Sequence, residues 1–369
     1  MKNEVRQDNV SHDTIRRQWA RPVAAALVAA LSLSAFAGCA KKAEPLQELT
    51  VTLGENVVVQ PLVGIAREKG YFKEYGLEIN AVTSTSSVME MLETGKIDVT
   101  LNGIIPALSY GAQGSKIKII GGTASGGNVV IAKPELAQSL RDSYDNWKGK
   151  KFGLIRLSTT EMVVRYALDG KGLDLYNDVT FVEIADYANI IEGVRKGEVE
   201  IGSVDAMYAQ QAKDLGLEIV FPLATLLPDY VCCRIQVSGQ AYEEKRPALV
   251  AFLKGVIRAY KDYTEDPEGT AKILSDASKQ TIEYTEGVVY DTDKNGLRIF
   301  NPEPNRDGVS AIYDTLLAWD YIERSGVTVD DIVDTTLFKE ALDAVLAQYP
   351  NEPSYQKLKA DFEANNHVS

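Results

Sequence analysis

Arg234 stands inside an apolar run, Val231-Cys232-Cys233-Arg234-Ile235, and a guanidinium in such a strand needs a partner. Two kinds would satisfy it: the sulfonate, carboxylate or phosphate of a ligand held bidentately, or a carboxylate of the protein itself. Anion chemistry is also offered by two polar clusters that precede helical segments. Ser84-Thr85-Ser86-Ser87 leads into residues 88–93, and Ser158-Thr159-Thr160-Glu161 into residues 162–168. Free backbone N–H groups and the helix dipole favour negative charge at such ends. Both clusters also contain S-x-x-E, Ser87 with Glu90 and Ser158 with Glu161, so the alternative is an ordinary capping box. Asn56 and Gln60 follow a first strand and Asn102 and Gly103 a third, where loop polarity by itself accounts for them. Asp205 follows the strand 201–204, where a carboxylate would meet an amine or cap the next helix. Tyr71, Tyr110, Tyr208 and Tyr230 would line a pocket for a flat ligand or pack under loops.

Catalytic material is sparse. The histidines are His12 and His367, one in the leader and one at an end expected to fray, so zinc sites and serine or cysteine triads have almost nothing to draw on. No metal site and no cofactor is expected. Beyond Cys39 the cysteines are the neighbours Cys232 and Cys233, which read as two buried thiols on one strand more readily than as a strained vicinal disulfide.

Cys39 itself follows Phe36-Ala37-Gly38 at the end of an uncharged run, 23–38, flanked by Arg16, Arg17 and Arg21. Such a run is too short to span a bilayer and ends in small residues, the layout of a bacterial lipoprotein signal. The mature chain would begin at Cys39, carry lipid on its sulfur, and reach its domain through the polar tether Ala40-Lys41-Lys42-Ala43-Glu44-Pro45. A plain secretory signal is the alternative. Removing a leader with five basic and three acidic residues takes the net charge from −13 to −15. A surface this acidic argues against nucleic acid and against broad contact with anionic lipid.

The elements that must position these residues alternate apolar runs with helical segments, which predicts βαβ units and mostly parallel sheets. Strands are expected at 49–53, 77–82 and 99–101, with a helix opened by Pro61 and stopped at Gly70. The grammar recurs about a hundred residues later. Residues 91–99 end a helix in Gly95 and begin a strand, and residues 191–201 do the same at Gly197, which points to two α/β lobes of similar build. Beyond Val237 helices dominate, including a long amphipathic one opened by Pro247, and they are expected on the first lobe. Two connections would cross between lobes, near 123–130 and 230–237.

In that order the features resemble the solute-binding proteins of ABC importers, the nitrate, sulfonate and taurine branch, whose fold is shared with thiamine-pyrimidine synthases. The residues that carry the likeness are 64–78, with Lys69-Gly70-Tyr71-Phe72 and Gly76-Leu77; Gly95-Lys96-Ile97-Asp98; Trp147-Lys148-Gly149-Lys150-Lys151; Val204-Asp205-Ala206; and Asp330-Asp331-Ile332 with Leu337 and Glu340. The resemblance implies a type II periplasmic-binding fold, two α/β lobes on a hinge with a C-terminal helical segment packed on the first. It places a signal peptide at 1–38, a tether at 39–47, lobe I at 48–127 and 235–349, lobe II at 128–234 and a tail at 350–369. It also implies a monomer anchored only by lipid on the outer face of the membrane. That monomer would bind a small, anionic solute for a permease and its ATPase at Asn56, Gln60, Ser84, Thr85, Ser86, Asn102, Gly103, Ser158, Thr159, Thr160, Asp205 and Arg234. The competing classes are a heterocycle-binding protein, a synthase-like enzyme and a sensor or adaptor. The synthases carry an active-site histidine and a longer cysteine run than this chain has.

Overall fold

The computed structural model describes residues 46–53, 57–83, 87–228, 230–291, 294 and 296–367. The leader, Cys39, the tether to Pro45, and the expected contacts Asn56, Ser84, Thr85 and Ser86 lie outside the described residues. No described helix is long and apolar enough to cross a membrane.

Two sheets carry the fold. The first contains β1 (Gln47–Thr52), β2 (Leu77–Val82), β3 (Val99–Thr100), β4 (Lys118–Ser125), β10 (Val231–Val237) and β11 (Ile299–Phe300), in the order β11-β4-β10-β3-β1-β2. The second contains β5 (Asn128–Ala132), β6 (Lys150–Leu154), β7 (Val179–Glu183), β8 (Ile201–Asp205) and β9 (Glu218–Pro222), in the order β7-β6-β8-β5-β9. The repeat seen in the sequence is therefore topological. Each sheet reads second strand, first strand, third strand, and then an antiparallel strand that the chain delivers after leaving the other sheet. The exchange of β4 to β5 falls within the expected 123–130, whereas that of β9 to β10 runs through 223–230, ahead of the expected 230–237, which is β10 itself.

The expectation of mostly parallel sheets is corrected: β1 with β2 and β3, and β6 with β7 and β8, are parallel, while every pairing of β5, β10 and β11 is antiparallel. Apolar periodicity reports burial and carries no strand direction. The boundary at 234 is also corrected, because β10 starts at Val231 and pairs with β3 and β4 of the first sheet.

The motifs have plain mechanical reasons. Helix α1 (Pro61–Glu68) begins on proline, buries Leu62, Val63, Ile65 and Ala66, and ends ahead of Gly70, whose φ of +76° needs no side chain. Phe72 then stacks on Phe252 at 5.2 Å, under the long helix α6 (Arg246–Glu265). Helices α2 (Val88–Glu93) and α5 (Tyr187–Lys196) run into Gly95 and Gly197, at φ +68° and +77°. Asp98, 5 % exposed, accepts from the Thr50 amide at 2.8 Å and from Lys245 Nζ at 2.8 Å, so the G-x-I-D element ties β3 to β1 and to the start of α6. In the second lobe Trp147 is fully buried, stacks between Phe152 and Phe221 at 5.8 and 6.0 Å, and donates to the Leu140 carbonyl.

The helices α7 (Pro267–Ser278), α8 (Ile282–Val289) and α10 (Thr336–Gln348) gather on the first lobe with α6. Helix α9 (Arg306–Ala318) does more, because it also packs on α4 (Thr159–Asp169) of the second lobe. Just after it, Tyr321 donates to Glu161, and Trp319 lies 5.6 Å from Tyr176. The expected tail is corrected too: α11 (Pro353–Asn365) buries Tyr355 and Leu358, and His367 Nδ1 sits 2.7 Å from Asp307 Oδ2. Its polarity had hidden a single apolar stripe.

Replacing Trp147 with alanine should lower the unfolding free energy by about 3–5 kcal/mol, since a filled aromatic stack becomes a cavity. Urea denaturation checks this; a loss below about 1 kcal/mol would mean the second lobe's core does not depend on that ring.

Candidate functional site

In open α/β sheets ligands meet the carboxyl ends of the strands, and in the second sheet that edge also holds the start of β5, since Asn128 pairs with Asp205. Five segments converge there. They are the turn after β3, the start of α4, the turn after β8, the crossing into β10, and the stretch 296–304 that precedes α9.

Gly103 precedes helix α3 (Ile104–Ala112) and forms an isolated bridge with Cys233. A Cβ at Gly103 would stand 3.8 Å from Thr159 Oγ1 and 4.0 Å from the Cys232 carbonyl, so the lobes meet closely here. The carbonyls of Asn102 and Gly103 accept from Gln236 Nε2 at 2.8 and 3.1 Å, and that of Asn102 also accepts from the Arg234 amide. These two positions therefore brace β10 through their backbone. Thr159 and Thr160 are buried at the first turn of α4, with Ser158 as its cap. Ser158 Oγ accepts from the Glu161 amide and donates to the Ile155 carbonyl. Glu161 returns its bond to the amide of Leu157, one residue earlier than a capping box requires, and Leu157 has φ +55°. The other expected box is absent: Ser87 precedes α2 without a side-chain cap bond.

Asp205 has both carboxylate oxygens engaged. Oδ1 accepts from the Met207 amide at 2.9 Å, the capping role, and Oδ2 from Arg298 Nη2 at 2.6 Å. Arg298 also donates to the Gly127 carbonyl at 3.1 Å in the first crossing. Burial opposes its charge, yet Asp205 and the two thiols hold its pKa up. Beside this pair, Tyr230 donates to Asn128 Oδ1 at 3.0 Å, and burial pushes its hydroxyl well up. Tyr187, at the start of α5, is raised for the same reason and lies 5.3 Å from Tyr208.

Arg234 is committed to partners within the protein. It is 2 % exposed, and its guanidinium donates to the carbonyls of Pro304 at 2.8 Å, Ala124 at 3.1 Å and Cys233 at 2.8 Å. The partner is main chain, an option that composition alone does not display. Gln60 sits apart from the cluster, with Thr123; Gln60 Oε1 and Thr123 Oγ1 are buried without partners in a small recess that also touches Gly122 and Phe300. Tyr71 and Tyr110 lie elsewhere: Tyr71 donates to Asp262 under the Arg258 guanidinium, and Tyr110 packs on the core around Leu92.

A cavity of about 500 Å³ opens beside Arg298, between Met207 and Gln210 on one lobe and Tyr284 and Val288 on the other. Its size suits a small molecule, and its lining mixes apolar walls with Lys213, Glu283, Lys294 and Arg298, of which Lys294 is paired with Asp291 and Arg298 with Asp205. A hollow of about 690 Å³ around Ser109, Gln113 and Tyr321 lies at the far end of α3, away from the strand ends, and is set aside on that ground. Arg298, Asn128, Tyr187 and Lys213 were missed in the sequence; Arg298 meets Asp205 across 93 positions, a pairing no local pattern announces.

Comparison with known proteins follows the same lines. The NMT1-like family matches residues 42–276. The putative binding protein YtlA of Bacillus subtilis is 24 % identical over 283 residues, covering 74 % of this chain and 82 % of YtlA. The 4-amino-5-hydroxymethyl-2-methylpyrimidine phosphate synthase THI13 of Saccharomyces cerevisiae is 26 % identical over 220 residues, 55 % of this chain and 63 % of the yeast enzyme. Among solved structures, the periplasmic nitrate-binding protein NrtA of Synechocystis superposes with a TM-score of 0.64 at 16 % identity, over 87 % of this chain and 99 % of NrtA. The fold is that of the periplasmic binding proteins.

Replacing Arg234 with methionine should cost about 2–4 kcal/mol of stability, because buried carbonyls lose a charged donor. Solute affinity of the folded variant, measured by calorimetry well below its melting temperature, should be unchanged; a selective loss of affinity would restore Arg234 to the ligand site.

Proposed function

The chain belongs to the NMT1-like family, and on that premise we propose that it is the extracytoplasmic solute-binding lipoprotein of an ABC importer. It would capture a small anionic solute with an apolar body between its lobes and present it to a permease driven by an ATPase. The observation that carries this reading is the cavity between the lobes, with apolar walls and Lys213 on its lining beside the Lys294–Asp291 and Arg298–Asp205 pairs and Glu283. Apolar walls contribute affinity by burial, and the cations set polarity and orientation. The fold it shares with NrtA, a nitrate-binding protein by name, supports the reading. So does the signal pattern ending in Cys39, which would leave the domain tethered outside the cytoplasmic membrane. The protein binds and releases; it makes no bond.

A second reading has its own support. Tyr187 and Tyr208 stand together at the strand ends, and the yeast relative is a pyrimidine phosphate synthase by name. A flat heterocycle would stack there in place of an alkyl chain.

Ligand-free protein should be screened by thermal shift against nitrate, taurine, alkylsulfonates, aromatic acids and thiamine pyrimidines. Saturation a hundredfold above the dissociation constant should add about 2.7 kcal/mol of stability for the true solute. A sulfonate or aromatic-acid hit whose affinity falls about tenfold in Lys213→Met supports the anion reading. A pyrimidine hit indifferent to Lys213 moves the site to the tyrosines, and no shift with any compound rejects solute capture of these classes. Lipid attachment is checked separately, by mass spectrometry of the membrane fraction from cells producing wild type and Cys39→Ala.

A further inference from the structure

Cys232 and Cys233 are free thiols and adjacent on β10. Adjacent side chains of a regular strand leave by opposite faces. Here the pairing with β4 slips on both sides of Cys233, and the two sulfurs meet at 3.4 Å, with Cys233 donating to Cys232. That bond, with the Arg298 guanidinium beyond it, draws the Cys232 thiol down against the penalty of burial, while Cys233 is pushed up. The other groups facing the pair are Asp205 and Thr159 from the second lobe, together with Tyr187 and Tyr230. Both cysteines retain some exposure, and each lies at the fringe of a different core, Cys233 on the first lobe's and Cys232 on the other.

We propose that Cys232 is a reversible thiol-modification site at the seam between the lobes, attacking a small-molecule disulfide, with Cys233 as the resolving thiol. In the first step the Cys232 thiolate bonds to one sulfur of the disulfide and the other sulfur leaves as a thiolate. In the second step Cys233 gives up its proton and attacks Cys232 Sγ. The mixed disulfide breaks, and a second small thiol departs. Two cysteines are oxidised, one disulfide is reduced to two thiols, and the two protons pass to the released thiolates. The ring so formed spans adjacent Cα atoms about 3.8 Å apart, closer than the roughly 4.4 Å at which unstrained disulfides begin, so a thiol reductant reopens it readily.

The space is consequential. A group on Cys232 Sγ would compete for the narrow gap that Gly103 and Thr159 share with this strand. Its effect on solute capture rests on the transport reading; the modification itself does not.

The test is intact-mass analysis of the folded full-length protein, wild type and variants alike carrying Cys39→Ala to remove the third thiol, exposed to glutathione disulfide, with each variant's fold checked by circular dichroism. Wild type should lose the mass of two hydrogens and recover it with dithiothreitol. Cys233→Ser should stop at a single glutathione adduct. Cys232→Ser should react roughly tenfold more slowly than wild type, having lost the activated thiolate. Wild type that stays unmodified while folded yet reacts in urea overturns the proposal, as does Cys232→Ser reacting at the wild-type rate.

Discussion

Everything at the centre of this molecule depends on how two buried guanidiniums hold the place where the chain changes sheets. Arg234 donates from β10 to the carbonyls of Ala124, at the end of β4, and of Pro304, on the stretch before α9. Arg298, from that same stretch, reaches the Gly127 carbonyl in the first crossing and Asp205 at the end of β8. Ala124 lies in register with Cys233 and Phe300, and the Gly127 carbonyl also accepts from the Ala206 amide, so the guanidiniums add a charged donor to carbonyls buried where the sheets exchange strands. Arginine suits the task because its planar fork stays charged when buried and can serve several acceptors at once. Burial draws the pKa of Arg234 down, but from so high a starting value that the charge persists.

From that constraint follows the tightness of stretch 298–304. Gly122 lies so close beneath it that a Cβ would stand 2.2 Å from the Glu303 carbonyl oxygen and 2.4 Å from that of Asn301. Glycine on β4 is thus required by the approach of another backbone. Glu303 in turn accepts from the Asn305 amide and from the side chains of Asn365 and Asn366, which joins α11 to the crossing. The lobes are therefore connected by two crossing strands and, independently, by α9 with Tyr321 and Trp319 on α4. Any relative motion of the lobes has to bend the crossings and slide that third contact together.

The lobes were legible in the sequence because their signals are local. Pro61 and Pro247 open helices, Gly70, Gly95 and Gly197 end turns that need a positive φ, and apolar spacing marks the buried faces between them. Strand direction was not legible, because β5, β9 and β10 look apolar whichever way they run. The candidate site was half legible for a related reason. Residues that brace the seam through main chain or by capping, Gly103, Ser158, Thr159 and Asp205, sit where strand-to-turn grammar puts them. Arg298 follows Gly296 and Leu297 in an aperiodic segment, and only the fold reveals that it shares Asp205 with the end of β8.

Arg234 shows why residue type misleads about role. A charge inside an apolar run is rightly taken as a demand for partners, but the demand can be met by the backbone as fully as by a ligand. What separates the two cases is the supply of buried carbonyls within reach, and here the exchange of strands between sheets brings those of Ala124, Cys233 and Pro304 to one side chain. The same reasoning distinguishes the cations around the cavity proposed for the solute. Positive charge already spent on carbonyls offers little to a solute, whereas Lys213, on a flexible stem at the rim of the cavity, stands outside those bonds, and Lys294 beside it is paired with Asp291. A buried fork whose bonds also hold the place where the chain changes sheets is, on the same chemistry, the less available of the two kinds of charge.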